Sequence, residues 1–150
     1  AGHAAGFGGV RVLAGGPGTA VRMVDALIRE TLERECAEDA CRGFGAGIGA
    51  GAYDGATLEL ERFEIAHGAL CGLQLAYGAD AAGTPFEVGG SADLRDGLVS
   101  GNPIGVNLQV EGFDVSRLQV RVRFEDNGSN FDGSALPVPG LGTELPDADE

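Results

Sequence analysis

The chain has 150 residues, and its ten basic residues stand against 23 acidic ones for a formal net charge of −13. All ten are arginines, so lysine-dependent phosphate loops, Schiff-base chemistry and lysine-rich nucleic-acid surfaces are excluded, and no cluster of cations offers a groove for counterion release. Self-repulsion favours solubility until salt or a basic partner screens it, and no run reaches the ~18–20 apolar residues that a membrane helix requires.

Residues 1–9 are small and glycine-rich without periodicity, and are expected to form a flexible N-terminal arm. The first residue is Ala1 rather than methionine, which suits a processed or exported form or a fragment; the compartment is not fixed by the sequence. Val10 to Leu13 suggest a short strand, broken by Gly15-Gly16-Pro17-Gly18, with Thr19 placed as a helix N-cap. Val21, Val24, Leu27, Ile28 and Leu32 then recur at helical spacing against a polar face of Arg22, Asp25, Arg29, Glu30 and Glu33. They predict an amphipathic helix from about Ala20 to Ala37.

Gly43 to Gly51 alternates glycine with small or apolar residues, which suits a linker or a backbone packed closely against a flat neighbour. Beyond Ala56 the period becomes two. Leu58 and Leu60 share one parity while Phe63 and Ile65 share the other, a slip near Glu61-Arg62 of the kind a β-bulge produces. Further alternations follow at Cys71 to Tyr77, Ile104 to Val110 and Leu118 to Phe124, with a weaker strand at Pro85 to Val88 and a loop or short helical turn over Ser91 to Leu98. The Glu111 to Arg117 connection is of hairpin length, so its flanking strands are expected to pair antiparallel. Nothing repeats at a solenoid period.

The predicted fold class is therefore α+β, one amphipathic helix packed on an antiparallel sheet of about four or five strands. The expected organisation is an arm over 1–9, a single domain over 10–126 and an extended, acidic, Pro/Gly-rich tail over 127–150.

The chemistry-bearing motifs are sparse. Val10 to Thr19 resembles the front of a nucleotide-binding P-loop, but Thr19-Ala20-Val21 stands where that family needs Gly-Lys-Ser/Thr. Cys36 and Cys41 have only His3 and His67 to join them and lack a second closely spaced ligand pair for zinc. Cys36, Cys41 and Cys71 suit three reduced core residues or one disulfide plus a thiol. The stretch Asp126 to Gly133 is rich in oxygen ligands, yet glycine falls at the first EF-hand position and Pro139 where the closing glutamate belongs.

His67 falls at a strand–turn boundary, and Glu59, Glu61 and Glu64 suit a solvated strand face as well as acid–base work. Cys71 belongs to an apolar stripe. Arg117, Arg121 and Arg123 alternate on one face, where they would meet an acidic partner or pair with glutamates on a neighbouring strand. No catalytic, cofactor-binding or metal-binding residue is assigned from these patterns.

The function this sequence favours is a non-catalytic structural or interaction subunit of a larger protein assembly, with other protein subunits as partners. Nucleic acid is excluded and no transmembrane segment is expected. One alternative is an apolar-ligand or lipid-binding domain, since the helix-then-meander layout resembles bacterial extracytoplasmic lipid-binding families in layout alone. A small α+β enzyme using His67 or Glu64 is the other.

Overall fold

A computed structural model describes residues 10–31, 47–136 and 138. Among the described residues nine strands are found: β1 (Val10–Gly15), β2 (Ala20–Arg29), β3 (Ile48–Tyr53), β4 (Thr57–Ala66), β5 (Cys71–Leu75), β6 (Ser91–Ser100), β7 (Ile104–Leu108), β8 (Val120–Glu125) and β9 (Ser129–Asp132). Odd-numbered strands form one sheet in the order β1-β3-β5-β7-β9, and even-numbered strands form the other in the order β2-β4-β6-β8. Every pairing within both sheets is parallel. The chain thus winds from one sheet to the other and back, each circuit adding one strand to each sheet. The product is a parallel β-solenoid.

This corrects the expectation of an α+β fold. Among the described residues the only helical element is a 3-10 turn at Val115–Leu118, and no helix is long and apolar enough to cross a membrane. The segment expected to be helical, where described, is β2. Its inward residues are Val21, Met23, Ala26 and Ile28, of which Ala26 and Ile28 are fully buried. Between Met23 and Ala26 stands Asp25, at a left-handed φ of 59°. This bulge stretches one step of the inward spacing from two residues to three, so a strand acquires the spacing of a helix face.

Arg62 in β4, Asp96 in β6 and Arg121 in β8 stand at φ of 50°, 55° and 54°, one in each strand of the second sheet. The pairings on either side, Val24↔Glu61↔Arg95↔Val120 and Ala26↔Phe63↔Gly97↔Val122, place all four bulges in one column. A strand without the bulge would present its downstream side chains on the wrong face, so the column locks the register of the sheet.

The expected antiparallel hairpin is also corrected. β7 and β8 lie in different sheets, because the connection through the 3-10 turn crosses between sheets instead of folding back. Ser91 to Leu98 is strand rather than loop or helical turn, and Pro85 contributes only a bridge to Ala79. The tail expected from 127 onward begins with β9.

The core lies between the sheets. Leu58, Leu60, Ile65, Leu94 and Val99 from the second sheet meet Leu73 and Val106 from the first, all essentially inaccessible to water. Two places require glycine. A Cβ on Gly49 would lie 2.6 Å from the Gly72 carbonyl oxygen, and one on Gly72 would lie 2.8 Å from that of Gly105. At Gly97 a Cβ would overlap the Phe63 ring stacked in the same column.

Candidate functional site

Three ladders run along the stack, and each shows how a sequence position becomes a column. The first is a buried polar ladder on β3, β5 and β7. Tyr53 Oη donates to Gln74 Oε1 at 2.6 Å, and Gln74 Nε2 donates to Asn107 Oδ1 at 3.1 Å. Asn107 Nδ2 donates to the Ser134 carbonyl at 2.9 Å and the Asp132 carbonyl at 3.2 Å. Burial drives the Tyr53 phenol well above its usual range, with the neighbouring Cys71 adding to the shift. These groups hold rungs together through satisfied bonds, as buried polar atoms must.

The second ladder lies at the corner where even strands lead into odd ones. Glu30, His67, Gly101 and Asp126 all stand in the left-handed region. The amides of the first three donate to the carbonyls of Ala66, Ser100 and Glu125, each at 3.1 Å. One residue further on, Asn102 Oδ1 accepts from Gly68 N–H at 2.8 Å, and Asn127 Oδ1 accepts from Asn102 N–H at 3.1 Å. Asparagine serves here because its side chain replaces backbone partners that the turn leaves behind.

The third ladder is the outward column of bulges, Asp25, Arg62, Asp96 and Arg121. Its charges alternate in sign along the stack. Arg62 Nε donates to Asp25 Oδ1 at 2.7 Å, and Arg121 makes a two-pronged pair with Asp96, its Nη2 reaching Oδ2 at 3.1 Å. Hydrogen bonds from these arginines hold the Asp25 and Asp96 carboxyls below their ordinary range. The arginines are solvated, and such pairs contribute little to stability. Their effect is on register and on what can be added to the stack.

The residues singled out from sequence fall into these columns. Glu59, Glu61 and Glu64 face outward, where Arg22 reaches Glu61 at 3.1 Å and Glu59 at 4.0 Å, and Arg29 reaches Glu64 at 2.9 Å. Arg117 leaves the strand face and grips Asp93 with two bonds of 2.8 Å from the 3-10 turn. Hydrogen bonding to that guanidinium lowers the Asp93 carboxyl. Arg123 reaches Glu125 at 3.2 Å in its own strand. The arginine trio therefore divides among three separate acids, two of them aspartates.

His67 is an exposed corner residue whose ring packs where a side chain on Gly101 would otherwise stand. Cys71 is fully buried, and desolvation pushes its thiol up to about 12. Gly15 to Thr19 turns from β1 into β2, and with no helix following there is no helix terminus to receive phosphate. Within Asp126 to Gly133, Asn127 turns inward to the corner ladder and Asp132 Oδ1 accepts from Ser134 N–H at 2.6 Å. Among the described residues no group of three or more His, Cys, Asp or Glu side chains is placed to hold a metal ion. His3, Cys36 and Cys41 lie outside the described residues.

The surface depressions are shallow, the first polar and the second lined mainly by apolar groups, Ala76, Ala79 and Val138 among them. One of about 420 Å³ is lined by Glu64, Asp96, Arg121 and Arg123 over the Phe63–Gly97 column. Another of about 330 Å³ lies at Tyr77, Asp80 and Gln109. The helix expected to wall a ligand space is replaced, where described, by β2.

Of the exposed large apolar side chains, Val88 at 63% and Val115 at 40% lie in connections, and the others lie on end strands. At the first end Leu13, Val24 and Leu27 are 44%, 39% and 41% exposed, and at the last end Val120 is 41% exposed. Among the described residues β1 and β2 each pair on one side only, as do β8 and β9. Sequence reasoning missed this because it placed Val24 and Leu27 on the buried face of a helix. The class defined by these features is a parallel β-solenoid whose end strands carry unpaired edges among the described residues. No protein-family model matches the chain, and no curated protein or solved structure matches it.

Proposed function

We propose that this chain is a structural or interaction subunit of a larger protein assembly, without catalysis of its own, and that it works through the open edges of its strand stack. The observation that carries the reading is the exposure of large apolar side chains on edge strands, Leu13, Val24 and Leu27 at one end and Val120 at the other. Strand edges present unpaired amides and carbonyls, and monomeric proteins usually blunt them with charge, proline or a covering segment. Apolar side chains there favour pairing with another chain. The rigid, laddered interior suits a scaffold, since each rung is fixed by its neighbours and needs no ligand to order it.

The test is the mass of the native particle that contains this chain, purified from its source at physiological salt and measured by native mass spectrometry. The expected result is a particle heavier than the same polypeptide measured alone under denaturing conditions. A monomer of that mass across the working concentration range would overturn the reading.

A further inference from the structure

Among the described residues the two sheets end unequally. The first has five strands and the second four, so β9 stands one strand beyond β8 and leaves a ledge along Val120–Glu125. At this ledge the core is half covered. Val122, Phe124 and Phe131 are half-buried, and the Phe124 and Phe131 rings lie 5.0 Å apart.

The side chains on the ledge carry a sign. The bulge column reads Asp25, Arg62, Asp96, Arg121, each residue facing opposite charge in the next strand, and it stops on a cation. Arg62 shows what an internal arginine does in this column. It bonds Asp25 on one side, and the Asp96 charge acts on it from the other. Arg121 has the first kind of neighbour, Asp96, and no described strand on its other side. The guanidinium of Arg121 carries five N–H donors, enough for a second carboxylate. Arg123, two residues along the same outer face, has a side chain 69% exposed.

We propose that β8 is the acceptor for an added parallel strand from a partner protein. The partner is an extended segment with aspartate opposite Arg121, an acidic side chain opposite Arg123, and apolar side chains at the two inward positions over Val122 and Phe124. Aspartate rather than glutamate belongs opposite Arg121 because the added strand must continue the column of left-handed residues, a conformation aspartate tolerates. Backbone pairing with β8 supplies affinity, and the alternating pockets and charges supply register. On a chain of net charge −13, most of the remaining surface repels such a segment, which confines it to this edge. The proposal rests on the reading of the chain as an interaction subunit.

The probe is a synthetic peptide copying Ala20–Arg29, the segment that already lies parallel beside an arginine-bearing strand with Asp25 on Arg62, carrying Leu27→Glu. A Val24→Cys change in the peptide and Val120→Cys in the full-length chain place two thiols in one outward column. Neighbouring parallel strands lie ~4.8 Å apart, within the Cα separation a disulfide accepts. Cys36→Ser and Cys41→Ser in the chain remove competing thiols.

Disulfide formation at Val120→Cys is expected to be at least about five-fold faster than at Val88→Cys, an exposed loop site. It should fall about five-fold when the peptide carries Asp25→Arg and Leu27→Arg, as loss and reversal of two exposed charge pairs would give. Equal rates at the two sites, no disulfide, or indifference to the arginine peptide would each overturn the proposal. So would slow hydrogen exchange at every β8 amide in the free full-length chain, since that edge would then be filled by the chain itself. A native particle heavier than the monomer, combined with failure of the peptide, would leave the subunit reading standing and remove β8 as its acceptor.

Discussion

Replacing Asn102 with alanine tests whether the corner ladder holds successive rungs together. The Asn102 side chain is 1% exposed, accepts from Gly68 N–H at 2.8 Å, and donates to the Ser100 carbonyl at 3.0 Å and to Asn127 Oδ1 at 3.1 Å. The two acceptors keep other donors, since Ser100 O also receives His67 N–H and Asn127 Oδ1 also receives Asn102 N–H, both at 3.1 Å. Gly68 N–H, on a buried residue, loses its side-chain acceptor outright. An orphaned buried donor costs about 1–3 kcal/mol, and each lost bond contributes about 1 kcal/mol more. With two further bonds lost, those to the Ser100 carbonyl and Asn127 Oδ1, the expected loss for Asn102→Ala is therefore about 3–5 kcal/mol. Equilibrium unfolding in urea at pH 7 should show it as a lower midpoint with an unchanged slope. Asn127→Ala removes the acceptor of Asn102 N–H, so the double variant should lose less than the two single losses added together. A loss below about 0.5 kcal/mol for Asn102→Ala, within the range of an ordinary surface change, would refute the ladder as a structural element.

Three further outcomes follow from the geometry. Gly97→Ala should cost about 1–3 kcal/mol through overpacking against Phe63, and Phe63→Leu in the same chain should recover part of that loss in thermal unfolding. In a Cys36→Ser, Cys41→Ser chain, Cys71 should resist thiol reagents at pH 8 and react only at the rate of unfolding, because its pKa is pushed up to about 12; rapid labelling of the native chain would contradict its burial. The Asp93 carboxyl is lowered by its hydrogen bonds to Arg117, so the unfolded state binds its proton more readily. Its stabilisation is complete above a carboxylate's unperturbed value of about 4 and disappears as pH falls through the folded value. Asp93→Asn should flatten that acid limb of the stability profile and leave the pH dependence above 5 unchanged.

Much of the strand content was legible, and its arrangement was not. The parity slip between Leu60 and Phe63 located a bulge, and Arg62 stands there at a left-handed φ of 50°. The same pattern in β2 was read as a helix because Asp25 carries the slip into a segment whose outward residues include Val24 and Leu27. Set side by side, Val21, Met23, Ala26 and Ile28 match Leu58, Leu60, Phe63 and Ile65, and then Ala92, Leu94, Gly97 and Val99, column by column. That two–three–two spacing was the available signal of a stacked fold. It escaped a reading for a solenoid period because the circuits of the second sheet differ in length, 37 residues between Val21 and Leu58, 34 between Leu58 and Ala92 and 25 between Gly97 and Val122. Strand direction was illegible for a different reason. A connection of hairpin length can equally cross to a second sheet, as Gln109 to Gln119 does, and alternation alone names no neighbour.

The site was legible only in its parts. Arg121 and Arg123 stood out as a local cationic cluster, but their place at the end of an alternating column emerges only from pairing residues far apart in sequence. The aspartates that answer them, Asp96 within the chain and an acid on an added strand, lie outside any local motif. Likewise Val24 and Leu27 look like core residues until β2 is recognised as an edge.

Hydrogen exchange on the native particle, compared with the isolated full-length chain, tests the central claim most directly. Docking through strand edges predicts that amides of the edge strands, β8 foremost, exchange more slowly in the particle, while those of β4 and β6, already paired on both sides, change little. Unaltered exchange at every edge strand, with protection confined to the corner connections, would contradict it.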